Sequence, residues 1–163
     1  MKALHLSKKY KTLLEKHSVN TPLRLAMFFA QIAHESGGFH YTKELGGASY
    51  FKKYEGRKDL GNIQSGDGLR FKGRGFIQVT GRYNYAQISK DTGIDYLNHP
   101  EWLEREPDAM LSALWYWSKH NLNKYADRKD LKGATRVING GYNGLADRQK
   151  KYNKYLKIFT NEK

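Results

Sequence analysis

No cysteine occurs among the 163 residues. That excludes a disulfide framework and thiol catalysis, and it fits folding in a reducing compartment. Proline is scarce, with three in the whole chain, so no proline-rich linker divides it. No stretch approaches the ~20 consecutive apolar residues of a membrane-spanning helix. The opening MKALHLSKKYKTLLEKH interrupts its apolar residues with lysines, which predicts no secretory signal. Acidic residues are outnumbered: 29 Lys and Arg face 16 Asp and Glu, for a net charge of +13. Such a field attracts polyanions, whether nucleic acid, anionic envelope polymers or lipid headgroups. The charge is spread along the chain and does not choose among them. The length predicts one domain, large enough to hide roughly 70% of the surface its unfolded chain exposes.

What is present is mostly helical periodicity. Leu6, Tyr10, Leu13 and Leu14 predict an amphipathic helix over residues 7–17. Asn20-Thr21-Pro22 reads as a cap with proline in the first turn. The run LRLAMFFAQIAHE that follows is apolar around most of its circumference, so it predicts a buried central helix stopped by Gly37-Gly38. Residues 82–92 and 133–139 read as shorter helices. Pro107 opens another, whose Met110, Leu111, Leu114, Trp115 and Trp117 supply core. A last, basic amphipathic helix covers about 146–160. Tyr152, Tyr155, Leu156 and Phe159 form one face, and Lys150, Lys154 and Lys157 lie on another. Two readings fit it: a helix docked on the core, or a helix lying on an anionic membrane surface. Between Gly46 and Gly81, glycines at 46, 47, 56, 61, 66, 68, 73, 75 and 81 end the periodicity. This segment reads as a long loop region with at most a small β-hairpin near residues 71–80, and long ordered loops are usually functional. The expected fold is mainly α.

The chemistry concentrates at His34-Glu35-Ser36-Gly37-Gly38. A zinc-protease pattern would need a second histidine four residues after His34, but position 38 is glycine and His40 lies beyond the break. No metal and no cofactor is therefore expected. Glu35, at the end of an apolar helix, suits a general acid, because desolvation raises a carboxylate's pKa. Glu44 follows nine residues later. Inverting glycosidases hold two carboxylates roughly 6.5–9.5 Å apart with a water between. Glu55 and Asp59 are rival bases in the same loop. In GRGFIQVTGRYNY, residues 73–85, the alternation from Phe76 to Thr80 would aim Gln78 and Thr80 to one side if extended, where an amide and a hydroxyl hold a water or a sugar. Tyr83 and Asn84 follow.

HESGG, the YEGRKDLGN…GDG…KGRGFIQVTGRYNY run and RVINGGYNGLADRQKKY together resemble glycoside hydrolase family 19, in its phage endolysin (lysozyme-like) branch. The resemblance runs from about Asn20 to Tyr155. It implies a single lysozyme-like or chitinase-like catalytic domain over residues 1–163, without a separate wall-binding domain. It makes Glu35 the general acid, Glu44 the general base and Thr80 the residue that positions the water. Gln78, Tyr83, Asn84, Asn139 and Arg148 become substrate contacts. The plant chitinases of the family carry disulfides and a longer loop around the base, and both are absent here.

The implied activity is inverting hydrolysis of the β-1,4 glycan strand of bacterial peptidoglycan by a monomer. The enzyme would stay in the host cytoplasm until a holin-type pore releases it. Lys150, Lys154 and Lys157 are the candidate contacts to lipopolysaccharide or another anionic outer-membrane surface. A chitinase is the alternative within the same chemistry. A lytic transglycosylase would use one carboxylate and leave anhydro-sugar ends. A nucleic-acid binder would explain the charge but gives HESGG no role, so no nucleic acid is expected as a partner.

Overall fold

Thr21 is extended, its side chain accepts from the Arg24 amide, and Pro22 occupies the first turn of the helix that follows. This is the start that the sequence predicts, because a helix's first amides lack intrahelical partners and proline has none to satisfy. In the computed structural model, which describes residues 1–161, that helix is one of ten α-helices among the described residues. In chain order they are α1 (Lys2–Lys9), α2 (Lys11–Lys16), α3 (Pro22–Glu35), α4 (Ala48–Phe51), α5 (Asp67–Arg70), α6 (Arg82–Thr92), α7 (Glu106–Lys119), α8 (Asn123–Asp127), α9 (Leu131–Asn139) and α10 (Leu145–Asn161). Short 3-10 turns lie at Lys52–Tyr54, Lys58–Leu60 and Pro100–Glu104. Pairing between extended segments among the described residues is limited to isolated bridges, Lys43 with Arg74 and Arg74 with Val79. The protein is mainly α, as its periodicity implies.

These elements form two compact units. The first runs from Met1 to Phe39 and resumes at Leu114, and the second is His40–Ala113. In the first unit α3 is the centre: every side chain from Ala26 to Ala33 is buried. Phe159 of α10 stacks on Phe29 with ring centroids 5.8 Å apart, and Trp117 meets Phe28 edge-on at 5.4 Å. Each such ring contributes about 1.5–3 kcal/mol by leaving water. Gly37 and Gly38, at φ 60° and 78°, turn the chain away after α3, a conformation that costs glycine little.

One expectation changes in this unit, and the two readings of the last helix narrow to the one in which it docks on the core. The helix read over residues 7–17 is two helices joined at Tyr10, whose φ of −108° leaves the helical range. The apolar spacing runs through the joint, with Leu6 and Leu14 both buried, so periodicity alone does not reveal the break. In α10, Tyr152, Tyr155 and Phe159 are buried, while Lys150, Lys154 and Lys157 are exposed. The apolar face is engaged in the core, so what this helix offers to solvent is its lysines.

In the second unit the glycine-rich segment carries more structure than the expected loop. It holds α4, α5 and two 3-10 turns, pieces too short to show a period. The expected hairpin shrinks to the Arg74–Val79 bridge: the Arg74 amide donates to the Val79 carbonyl at 3.0 Å, and the Val79 amide returns the bond at 2.7 Å. Gln78 does not extend but turns at φ 63°. Buried polar side chains replace a β-ladder. Asn62 Nδ2 donates to the Tyr54 carbonyl (2.9 Å), and its Oδ1 accepts from the Arg82 amide (2.8 Å). Arg82 grips Asp67 with Nε at 2.7 Å and Nη2 at 2.8 Å, and the Asp67 side chain is 1% exposed.

The Arg82 guanidinium holds the Asp67 carboxyl below the usual carboxylate range. A lowered pKa stabilises the fold fully above the unfolded value and is lost as pH falls through the folded one, here below about pH 4. Asp67→Asn leaves Arg82 without its counter-charge and is expected to cost about 3 kcal/mol. Urea unfolding at neutral pH checks that value. Repeated at pH 3, the difference between parent and variant should narrow.

Candidate active site

Glu35 closes α3 and accepts from Arg148 Nη2 at 2.6 Å through Oε1. The Arg148 side chain, on the first turn of α10, is 1% exposed, against 24% for Glu35. A cation this buried requires an anion and further acceptors. Glu35 supplies the charge, and Gln31 Oε1 (2.5 Å from Nη1) and the Asn143 carbonyl (3.1 Å from Nε) accept two further bonds. Gln31 stands four residues before Glu35, on the same side of α3. Its Nε2 donates to Thr135 Oγ1 at 3.1 Å, and Thr135 donates to the Leu131 carbonyl at 2.8 Å. The Glu35 carboxylate is thus positioned jointly by α3, α9 and α10. Burial, and then the nearby Glu35 charge, push the Tyr116 phenol up to about 12.

His34 anchors the same region. Its Nδ1 lies 2.7 Å from Asp147 Oδ2, and Lys151 Nζ lies 2.8 Å from both Asp147 oxygens. His34 and then Lys151 hold Asp147 below the ordinary carboxylate range. Gly144, at φ 71°, faces the His34 ring, and any Cβ there would collide with it. Asn139 ends α9 exposed, with Oδ1 accepting from the Asn143 amide at 3.2 Å.

In the second unit the Glu44 amide donates to the Gly73 carbonyl at 2.8 Å. The Gly73 amide donates back to Glu44 Oε1 at 3.2 Å. The other carboxylate oxygen, Oε2, accepts from two phenols, Tyr54 at 2.8 Å and Tyr50 at 3.2 Å. Burial, and then the bond to Glu44, hold the Tyr54 phenol above its ordinary value, so it remains a donor. Thr80 Oγ1 donates to the Gln78 carbonyl at 3.1 Å, and Gln78 Nε2 to the Gly75 carbonyl at 3.0 Å. Their free acceptors converge on Gly73. The point where a Cβ would stand at Gly73 lies 2.5 Å from Gln78 Oε1, 3.1 Å from Glu44 Oε1 and 3.1 Å from Thr80 Oγ1. Three acceptors thus converge beside one Cα, the arrangement a hydrogen-bond donor would meet.

The other sequence candidates fall out as follows. Asn84 Nδ2 donates to the Thr80 carbonyl at 2.9 Å, and Tyr83 is 57% exposed. Arg148 directs its donors at Glu35, Gln31 and Asn143. The rival Glu55 accepts from the Gly66 and Gly68 amides at 3.1 and 3.2 Å, and Asp59 pairs with Arg57. Both are engaged in shaping their loop. Gln31, Tyr50 and Tyr54 escaped the sequence reading. Their i, i+4 spacing, Gln31 to Glu35 and Tyr50 to Tyr54, was the available signal. No three His, Cys, Asp or Glu side chains cluster among the described residues as a metal site would need.

The family model described as chitinase class I, of glycoside hydrolase family 19, matches residues 15–159. A glycosyl hydrolase family 19 domain-containing protein of Haemophilus influenzae is 36% identical over 168 residues, covering 85% of this chain and 82% of that one. An endochitinase of Arabidopsis thaliana is 34% identical over 118 residues, covering 72% of this chain. The match takes in 39% of that plant protein, so the chain spans about two fifths of it. Among solved structures, chitinase C from Streptomyces griseus HUT6037 superimposes with a TM-score of 0.68 at 26% identity, covering 85% of this chain and 60% of that one. The class IV chitinase from Zea mays gives 0.65 at 25% identity, covering 86% and 70%.

Gly73 has no positive φ, so alanine suits its backbone and differs by a methyl that pushes the flexible Gln78 amide out of the set of three converging acceptors. Gly73→Ala is expected to remain folded by circular dichroism and to lose about 10²-fold in hydrolytic turnover.

Proposed function

The chain belongs to glycoside hydrolase family 19, and on that premise we propose that it is a peptidoglycan hydrolase of the endolysin kind. It cuts the β-1,4 glycan strand by inverting single displacement. The observation that carries this reading is the set of acceptors at Gly73, where Glu44 Oε1, Gln78 Oε1 and Thr80 Oγ1 all lie within 3.1 Å of one point beside the glycine Cα and together offer an attacking water its acceptors.

In the proposed step Glu35, held through Oε1 by Arg148, takes up a proton on Oε2 from solvent and gives it to the glycosidic oxygen as the bond from that oxygen to C1 breaks. A water held by Thr80 gives a proton to Glu44 Oε1, and its oxygen bonds to C1 from the opposite face. One water is consumed: its hydroxyl ends on C1 of one product, the other product leaves with the proton from Glu35, and the proton taken by Glu44 returns to solvent. A transglycosylase would instead close an internal ether and would need no water site.

Charge supports peptidoglycan as the polymer. Chitin is neutral, whereas peptidoglycan carries stem-peptide carboxylates that attract a +13 chain. Lys150, Lys154 and Lys157, exposed on α10, are placed to meet lipopolysaccharide or a similar anionic surface by charge alone, since their helix keeps its apolar face inside. In this reading a holin-type pore delivers the enzyme from the host cytoplasm to the wall. The chitinase reading is favoured by the names of the Arabidopsis, Streptomyces and Zea mays proteins.

Mass spectrometry of fragments from purified peptidoglycan, run beside chitin oligomers, separates the readings. Hydrated reducing ends from peptidoglycan, with the inverted anomer seen by NMR at early times, are expected. Fragments from chitin alone would sink the peptidoglycan assignment. Glu35→Gln and Glu44→Gln should each lose at least about 10²-fold in turnover. Glutamine at 35 still offers Arg148 an amide oxygen but not a charge, so that variant should fold with a lowered melting temperature. Raising salt above about 0.15 M, where the Debye length is already about 8 Å, should weaken action on peptidoglycan and leave that on chitin oligomers unchanged.

A further inference from the structure

Glu44 has two chemically equivalent oxygens, and a base needs one of them aimed at the water. A carboxylate can turn about its own bond even where the backbone is held, as that of Glu44 is by the Lys43–Arg74 bridge and its amide bond to Gly73. Something must select the oxygen. The Gly73 amide donates to Oε1 at 3.2 Å, but this single bond leaves the other oxygen free to swing. The two phenols remove that freedom. Tyr54 and Tyr50 both donate to Oε2, at 2.8 and 3.2 Å.

The tyrosines are themselves held. They stand four residues apart, Tyr50 in α4 and Tyr54 at the end of the 3-10 turn that continues it. Such spacing puts both rings on one side of the chain. Tyr54 is half-buried and stacks with the buried Phe51, ring centroids 6.3 Å apart. Tyr50 is 44% exposed but lies against Gly46, where a Cβ would come within 2.7 Å of its ring. Lys53 Nζ sits 3.8 Å from the Tyr50 ring centroid and 5.1 Å from that of Tyr54. A cation over a phenol ring favours this placement.

We propose that Tyr50 and Tyr54 are positioning residues that clamp Glu44 Oε2, so that Oε1 is the oxygen presented beside Gln78 Oε1 and Thr80 Oγ1 at Gly73. The inference rests on Glu44 being the base. Charge-assisted bonds of this kind are stronger than neutral ones, and a misdirected base loses its catalytic contribution while substrate binding is unaffected. The clamp therefore acts on kcat and not on KM.

The test uses the full chain and four variants: Tyr50→Phe, Tyr54→Phe, the double variant and Glu44→Gln. Phenylalanine keeps the rings and removes only the hydroxyls. The double variant is expected to lose about 10- to 100-fold in kcat, with KM and melting temperature nearly unchanged. With 13C-labelled glutamate side chains, the Glu44 carboxyl resonance, identified by its disappearance in Glu44→Gln, should move in both single variants. The Glu35 resonance should stay in place. Full kcat in the double variant beside an inactive Glu44→Gln would overturn the clamp and leave Glu44 as base. Turnover retained by Glu44→Gln would overturn the base assignment and the clamp with it. A fall in kcat matched by a fall in melting temperature, with the Glu44 resonance unmoved, would assign the tyrosines to loop packing and also defeat the proposal.

Discussion

The buried guanidinium of Arg148 is the constraint around which the first unit is organised. A cation with almost no contact with water must be neutralised, and Glu35 is the carboxylate that bonds it. Two further donors recruit Gln31 and the Asn143 carbonyl, and Gln31 recruits Thr135. The end of α3, the start of α10 and the middle of α9 are fixed relative to one another by this one network. Hydrophobic packing of Phe28, Phe29, Trp117 and Phe159 supplies most of the favourable free energy. That term is non-directional, whereas the hydrogen bonds of Arg148 define where the Glu35 carboxylate sits.

The second unit solves a different problem with similar means. It has many glycines, short helices and no β-ladder among its residues, yet it must hold Glu44, Gln78 and Thr80 to within an ångström or so. Buried or half-buried polar pairs do this: Asp67 with Arg82, Arg74 with Glu104, and Asn62 between two stretches of backbone. Asn62 and Arg74 also bond backbone groups that a sheet would otherwise pair. The outcome is a loop region ordered by side chains, in which three oxygens converge on a glycine.

Much of this was legible beforehand. The Thr21-Pro22 start, the glycines after Glu35 and the helix at 82–92 follow from local rules that tertiary structure did not override. The joint at Tyr10 was hidden because apolar spacing passes through it unchanged. The short helices of residues 48–51 and 67–70 were hidden because four residues complete barely one turn, too little to display a period. Gln78 was read as part of an extended run, but its alternation with Val79 and Thr80 accompanies a left-handed turn. Glu35 stood out in the sequence because of what precedes it. Arg148 was noticed only through resemblance to a family, since nothing near it in the chain marks it as buried. The two tyrosines on Glu44 were missed although their spacing was visible, because twelve tyrosines made any pair look ordinary.

The last helix has a consequence of another kind. Its oily side faces inward and its lysines face out, so any grip it has on a charged polymer is adhesive without being an anchor. Such contact is made and broken as counterions come and go. A protein held in this way can drift along a strand and resample it, where one sunk into a bilayer would stay where it first landed.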